Sequence, residues 1–285
     1  MSKSIGSILI WATETLKNGG IENPRLDAEL LLAYVLKKER INLYLDYHKT
    51  LEKYLELNYK RLIEERLKHK PISYIVGHKE FMSLDFKVNE SVLIPRPETE
   101  ILVETVCKIG NSKSMILELG TGSGAIAISL AKYKQDWKIV ATDISFQALL
   151  IAYENACIHN VSKRIKFIQT NLFDGLSKRR LYNWVVSNPP YVPTDDLDTL
   201  PDDIRNYEPI LALDGGRDGL DIIKQILIHS SEILKIDGHL AIEIGYDQSS
   251  KVIDFAKALG TYSDYFIVND YSGIPRVFCC KLKWI

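Results

Sequence analysis

The chain has 285 residues, 46% hydrophobic and 26% charged, which is ordinary usage for a folded globular protein and excludes disordered, collagen-like and coiled-coil chains. At roughly 150 residues per domain, this length suggests one large domain or two smaller ones. Lys and Arg number 36 against 37 Asp and Glu, so the chain lacks the overall basic excess of a protein that grips many phosphates, and no apolar run approaches the ~18 residues that span a bilayer.

Ile5, Ile8, Leu9, Ala12 and Leu16 recur at helical spacing with Thr13, Glu14 and Lys17 opposite, which predicts an amphipathic helix rather than a targeting segment. Asn18-Gly19-Gly20 stops it. Asn23-Pro24 starts a second helix whose apolar face includes Leu26, Leu30, Leu31 and Val35. A further helix is expected over residues 51–68, with Leu55, Tyr59, Leu62 and Ile63 on one side. Residues 1–73 therefore read as a small helical bundle. Residues 74–94 read as a β-hairpin linker, with strands at 74–77 and 81–88. Pro95-Arg96-Pro97 then breaks the chain before a helix carrying Glu98 and Glu100 in its first turn, where acidic groups suit the dipole.

Beyond residue 113, strands and helices alternate. Strands are expected at 115–119, 138–142, 165–169, 184–187, 239–244, 265–268 and 277–282. Helices are expected at 125–131, 145–159, 220–234 and 251–259. This order predicts an α/β fold with a mainly parallel sheet over residues 95–285. The cysteines are Cys107, Cys157, Cys279 and Cys280; they form no CxxC pair, and adjacent Cys279 and Cys280 point to opposite faces of a strand. They read as reduced, buried thiols of a cytoplasmic protein, with no metal site expected.

Glu118-Leu119-Gly120-Thr121-Gly122-Ser123-Gly124-Ala125 lies between a predicted strand and a predicted helix. Glycines let backbone approach a ligand closely, and ligands in such sheets sit beyond the strand C-termini. Gly120, Gly122 and Ala125 satisfy the looser dinucleotide pattern, whereas Gly124 and the preceding Glu118 suit the acidic-x-Gly-x-Gly-x-Gly signature of S-adenosylmethionine methyltransferases. Asp143 ends the next strand and can accept from two ribose hydroxyls with either cofactor.

Asn188-Pro189-Pro190-Tyr191 follows a strand at the same sheet edge. A planar nitrogen, in an amide or a base amine, is a poor nucleophile because its lone pair is delocalised. An acceptor for each N–H lets that lone pair be aimed at a methyl group. The Asn188 side-chain oxygen offers one acceptor and the Pro189 carbonyl another, and Tyr191 can stack on the planar group.

Pro95-Arg96-Pro97-Glu98-Thr99-Glu100, the loop from Glu118, Ser187-Asn188-Pro189-Pro190-Tyr191-Val192, Glu208-Pro209, Ala212-Leu213, Gly215-Gly216 with Asp218-Gly219-Leu220, Glu243-Ile244-Gly245-Tyr246 and Pro275-Arg276-Val277 together closely resemble the HemK/PrmC family. The resemblance covers residues 74 to about 280 in order. It implies a class I, Rossmann-like methyltransferase fold behind a small helical domain and a hairpin linker; because every candidate chemical residue lies after residue 94, the helical domain is expected to recognise the substrate. It implies methyl transfer from S-adenosyl-L-methionine to N5 of the glutamine in the Gly-Gly-Gln motif of bacterial peptide chain release factors. Carried over, Gly120, Thr121, Gly122, Ser123, Gly124, Asp143 and Asn188 would hold the cofactor, with Asn171 and Leu172 flanking its adenine. Asn188, Pro189, Pro190 and Tyr191 would hold the glutamine, with Asn188, Pro189 and Tyr191 as the catalytic set. The family often has Asp and an aromatic residue where this chain has Asn171 and Leu172. A cytoplasmic monomer with neither nucleic acid nor membrane as partner is expected. The competing readings are a nucleic-acid adenine methyltransferase, which lacks its basic stripe here, a non-catalytic cofactor-binding module and a dehydrogenase.

Overall fold

A computed structural model describes residues 3–284. The chain forms two compact units. One comprises the residues up to His78 together with Pro201–Tyr207; the other comprises Lys79–Leu200 and Glu208–Ile285. No helix among the described residues is long and apolar enough to cross a membrane.

The first unit is helical. It contains α1 (Ile5–Asn18), α2 (Pro24–Leu36), α3 (Arg40–Leu45), α4 (Lys53–Leu67) and α5 (Ile72–Val76). Ser4 caps α1, its side chain accepting from the Ser7 N–H at 3.2 Å, and Ile5, Ile8, Leu9, Ala12 and Leu16 are buried as their spacing predicts. The face of α2 differs from the sequence expectation. Ala28, Leu31, Leu32 and Val35 are buried, whereas Leu26 is exposed and Leu30 half-buried. The rotation accompanies burial of two acids, which are tolerated because they are paired. Asp27 meets Arg66 at 2.7 Å, and Glu29 accepts from Arg25, Arg40 and Tyr44. Residues 74–77 are expected as a strand, but 74–76 end a helix and Gly77 caps it. The Pro71 carbonyl accepts from the N–H groups of Tyr74 and Ile75, and Gly77, at φ 82°, terminates the turn. The helical unit thus runs past residue 73, and α3 is an element the periodicity does not predict. Tyr207, 129 residues beyond His78 in the chain, belongs to this unit: its hydroxyl donates to the Lys68 carbonyl at 2.8 Å, and the Lys70 ammonium lies 6.0 Å from its ring centroid.

The hairpin exists, but from different residues: β1 (His78–Phe81) and β2 (Leu84–Lys87) flank Met82 and Ser83, whose φ values of 51° and 55° supply the two positive φ angles of a type I′ turn. Glu100 accepts from the Met82 N–H, and the Tyr133 hydroxyl donates to the Met82 carbonyl. After α6 (Pro97–Ile109), the chain runs β3 (Met115–Leu119), α7 (Ala125–Tyr133), β4 (Lys138–Asp143), α8 (Phe146–Ile158), β5 (Ile165–Gln169) and β6 (Tyr182–Ser187). It continues through the short α9 (Asp202–Arg205), α10 (Asp221–Ile233), β7 (Leu234–Glu243), α11 (Ser249–Leu259), β8 (Tyr262–Asn269) and β9 (Pro275–Leu282).

The seven-stranded sheet has the order β5-β4-β3-β6-β7-β9-β8. The first five are parallel, and β9 is antiparallel to both of its neighbours. Alternate residues feed two cores. Ile116, Trp184, Val186, Ala241 and Cys279 pack on one face with residues of α6 and α7, while Leu117, Val185, Leu240, Ile242 and Cys280 pack on the other with residues of α10 and α11. Cys279 and Cys280 are buried on opposite faces as expected, but Cys157 is exposed and Cys107 half-buried. Strand order reverses around β3, whose neighbours β4 and β6 follow it in the chain from opposite sides. Leu119 pairs with Thr142 on one side and with Ser187 on the other, so the segments that follow Leu119, Asp143 and Ser187 leave the same edge of the sheet.

Candidate active site

The glycine loop is tied to the end of β4. The Thr121 N–H donates to the Thr142 carbonyl at 2.8 Å, and the Gly122 N–H donates to Asp143 Oδ2 at 2.8 Å. Asp143 Oδ1 accepts from the Ser145 N–H. Burial raises the Asp143 carboxyl above its usual range, against the backbone N–H bonds from Ser145, Gly122 and Ile144 that favour its charge. Gly120 and Gly122 have positive φ, and a Cβ at either would meet no atom within 4 Å, so the backbone there faces open space. Gly124 is different: a Cβ would come within 2.8 Å of the Ile128 side chain and 3.1 Å of Ala152, so this glycine lets α7 and α8 approach. Buried Asn155 braces the loop from below, donating to the carbonyls of Ser123 and Lys87.

Glu118 sits under the loop. Thr121 Oγ1 donates to its Oε2 at 2.7 Å, while its buried Oε1 has no hydrogen-bond partner. Burial pushes this carboxyl up to about 8, with the Thr121 bond opposing the shift and the Asp143 charge adding to it. An orphaned buried oxygen, open space beyond two glycines and a carboxylate at the next strand end fit a ligand carrying amine and hydroxyl donors.

Gly120, Thr121, Gly122, Ser123 and Asn188 line one cleft with Arg96 and Thr99. Arg96 is engaged by buried Glu208, which gives the distant Pro95–Pro97 and Glu208-Pro209 motifs a common structural role. Asn171 and Leu172 line a separate cavity of about 260 Å³ with Phe173, Gln225 and His229, among others. Leu172 holds φ at 47°, a costly conformation for a branched side chain.

Asn188 is half-buried, and its Nδ2 donates to Thr99 Oγ1 at 3.0 Å. That bond leaves Oδ1 as the end of the carboxamide available to accept. Pro189 is buried, and Tyr191 is half-buried against the core cluster on the α10 face. Burial raises the Tyr191 phenol well above its ordinary value, and the Glu243 charge adds to the effect.

The backbone here is clamped by residues whose role the sequence does not disclose. Gln248 Nε2 donates to the carbonyls of Tyr191 at 2.9 Å and Gly219 at 3.2 Å, while its Oε1 accepts from the Gly245 N–H. Gly219 has φ 71°, and a Cβ there would lie 2.3 Å from the Tyr191 carbonyl oxygen; at Gly215 it would lie 2.8 Å from Tyr191 Cα. The Val192 N–H donates to the Leu213 carbonyl, and the Gly215 N–H donates to the Val192 carbonyl. The glycine-rich motif after Leu213 is thus a surface pressed against the Asn188–Val192 segment. Glu243 ends β7 beside it; burial pushes its carboxyl up to about 7, held back by hydrogen bonding with Thr99 and by the Arg276 charge. The sequence signals Glu243 as an acid closing an apolar strand, the pattern shared by Asp143, and as the start of the Glu243-Ile244-Gly245-Tyr246 motif, without disclosing its contacts. Gln248 has no such signal.

An acceptor held rigidly beside a glycine loop suits transfer to a planar nitrogen, which needs orientation rather than a strong base.

Two family models match the chain: the PrmC N-terminal domain over residues 7–77 and the methyltransferase small domain over residues 97–200. The chain is 42% identical to the release factor glutamine methyltransferase of Moorella thermoacetica, over 94% of each chain. It is 38% identical to the enzyme of the same name from Geobacter sulfurreducens, over 96% of this chain and 95% of that one. Among solved structures, M. jannaschii TYW2 in complex with AdoMet superposes with a TM-score of 0.50 at 15% identity, covering 73% of this chain and 86% of that one, a likeness of fold. With relatives this similar over nearly its whole length, the chain belongs to the release factor glutamine methyltransferase family.

Proposed function

We propose that this protein transfers a methyl group from S-adenosyl-L-methionine to the side-chain amide nitrogen, N5, of the glutamine in the Gly-Gly-Gln motif of bacterial peptide chain release factors, supporting translation termination. The observation that carries the reading is the Asn188 carboxamide. Its nitrogen end is committed to Thr99, and it lines one cleft with Gly120, Thr121, Gly122 and Ser123. S-adenosyl-L-methionine, when bound, supplies a methyl group on a positively charged sulfur. Gly120, Thr121, Gly122, Ser123, Gly124 and Asp143 form its cradle, and Asn171 and Leu172 border its adenine.

Asn188 Oδ1 and the Pro189 carbonyl accept the two N–H bonds of the glutamine amide. Pro190 shapes the loop, and Tyr191 lies on the amide plane. With both N–H groups held, Asn188 and the Pro189 carbonyl would aim the nitrogen lone pair at the methyl group the cofactor supplies, and the amide proton would pass to solvent once the methyl–sulfur bond had broken. Orientation of this kind is worth effective molarities of ~10⁵ M or more. The helical unit recognises the release factor. The enzyme works as a cytoplasmic monomer, with no nucleic acid or membrane as direct partner.

Incubation with methyl-labelled cofactor tests the reading against three acceptors: a Gly-Gly-Gln release factor, the same factor carrying Gly-Gly-Ala, and duplex DNA. Label is expected on the first alone. Label on either of the others refutes the assignment.

A further inference from the structure

The acceptor role of Asn188 requires that one particular end of its carboxamide face the substrate. An amide is nearly symmetric in shape, and turning it by a half rotation exchanges an acceptor for two donors. With Nδ2 toward the substrate, donor would face donor and the glutamine amide would be repelled. Thr99 Oγ1 accepts from Asn188 Nδ2 at 3.0 Å, but a hydroxyl can also donate, so Thr99 alone does not fix the direction. Glu243 supplies the missing asymmetry. It is 1% exposed, its carboxyl is hydrogen-bonded with the Thr99 and Asn188 side chains, and its Oε2 has no partner. An ionised carboxylate only accepts. It draws the Thr99 proton toward itself, which turns the Thr99 lone pair to Asn188 Nδ2 and leaves Oδ1 for the substrate.

We propose that Thr99 and Glu243 are positioning residues that fix which end of the Asn188 carboxamide meets the substrate amide. The inference rests on the glutamine-amide reading given above. The directing form is the carboxylate, and its surroundings bear on that. Arg276 of β9 favours it, while Glu98 of α6 and the half-buried Tyr191 face the same group; Arg276 is in turn shared with Asp270 at 3.0 Å. Glu243→Gln is close to isosteric but can donate, so it permits the reversed chain. Thr99→Val keeps the shape and removes the hydroxyl link, leaving only the direct contact of Glu243 with Asn188, and Thr99→Ser keeps both.

With full-length enzyme, saturating cofactor and a Gly-Gly-Gln release factor, kcat is expected to fall roughly tenfold or more in Thr99→Val and Glu243→Gln, since misdirection of the acceptor spoils the attack geometry. KM for the factor is expected to rise as well, because the reversed amide repels the glutamine, while the Kd for S-adenosyl-L-methionine is expected to stay within about twofold, because the Gly120–Gly124 loop and Asp143 are unchanged. Thr99→Ser is expected to restore most of kcat. The wild-type kcat should rise with pH through about 7, and Glu243→Gln should lack that rise. A measurement without substrate separates this proposal from the activity it rests on. In protein labelled with ¹⁵N-asparagine, the Asn188 side-chain protons should exchange slowly with solvent, and Thr99→Val should speed that exchange. Wild-type turnover in folded Thr99→Val, a Thr99→Ser as impaired as Thr99→Val, or unchanged Asn188 proton exchange would each overturn the proposal. Absence of transfer by the wild-type enzyme would count against the proposed function instead, leaving the exchange measurement to judge Thr99 and Glu243.

Discussion

Gly219→Ala places one methyl group against the backbone of the candidate active site. At φ 71° the new residue occupies a region that L side chains avoid, a strain of about 1–2 kcal/mol. Its Cβ would also lie 2.3 Å from the Tyr191 carbonyl oxygen and 2.7 Å from Gln248 Nε2, where ordinary contact begins near 3.4 Å. Something must retreat by about 1 Å, and the hydrogen bond from Gln248 to the Tyr191 carbonyl, 2.9 Å long, joins the two obstructing groups. Tyr191 is three residues from Asn188, so the acceptor geometry shifts with it. A misplacement of that size costs roughly 100-fold in rate. The Gly120–Gly124 loop and Asp143 are not among the atoms the methyl meets, so cofactor affinity should hold. Calorimetric titration with S-adenosyl-L-methionine and single-turnover transfer to a release factor measure the two effects separately. The melting temperature should drop by a few degrees, given ~2–4 °C per kcal/mol for a chain of this size. A folded Gly219→Ala enzyme that transfers methyl within threefold of the wild-type rate would refute the argument that this glycine sets the position of the loop.

Asn188→Ala should lower kcat by ~10²-fold while S-adenosyl-L-methionine still binds, measured by single-turnover kinetics beside titration. Asp143→Ala should weaken cofactor binding by roughly 1–3 kcal/mol, because it removes a charge-assisted acceptor and frees the Gly122 N–H it holds; unchanged affinity in calorimetry would remove Asp143 from the cofactor site. Glu118 carries the pH signature. Its carboxyl titrates near 4.5 when unfolded and near 8 when folded, so the folded state binds the proton more tightly and loses stability as pH rises across that window. The loss is at most about 1.4 kcal/mol per pH unit. Glu118→Gln should therefore melt higher than wild type at pH 8.5 by a margin that shrinks at pH 5, in thermal scans without cofactor.

The sheet and its site motifs were legible because they depend on local chemistry. Apolar strands closed by Leu119, Asp143 and Ser187 state their own ends, and the glycines after Leu119 announce a backbone exposed to a ligand. The elements that were missed depend on distant partners. The face of α2 turned because Asp27 and Glu29 found Arg66, Arg25, Arg40 and Tyr44, and hydrophobic spacing carries no information about such pairing. The hairpin turn uses Met82 and Ser83 in place of the usual Asn-Gly signal, with Glu100 and Tyr133 holding it. Within the site, Asn188 is readable as a motif, but the group that orients it arrives from α6, 89 residues earlier in the chain. Gln248 reads as an ordinary polar residue until its contacts with Tyr191, Gly219 and Gly245 are known.

The discontinuity of the helical unit bears on how the protein is made. Its last segment, Pro201–Tyr207, is synthesised long after His78. At 5–20 residues per second, roughly 6–25 s separate the two on the ribosome. During that interval α4 and α5 wait without the Tyr207 hydroxyl on the Lys68 carbonyl. A ribosome-stalling series that halts synthesis with residue 190 outside the exit tunnel, and again with residue 215 outside, should therefore find the helical unit more resistant to protease in the second case. The same reasoning sets a rule for dissection: a fragment ending at His78 is missing part of its own unit, and one beginning at Lys79 carries Tyr207 with nothing to receive it.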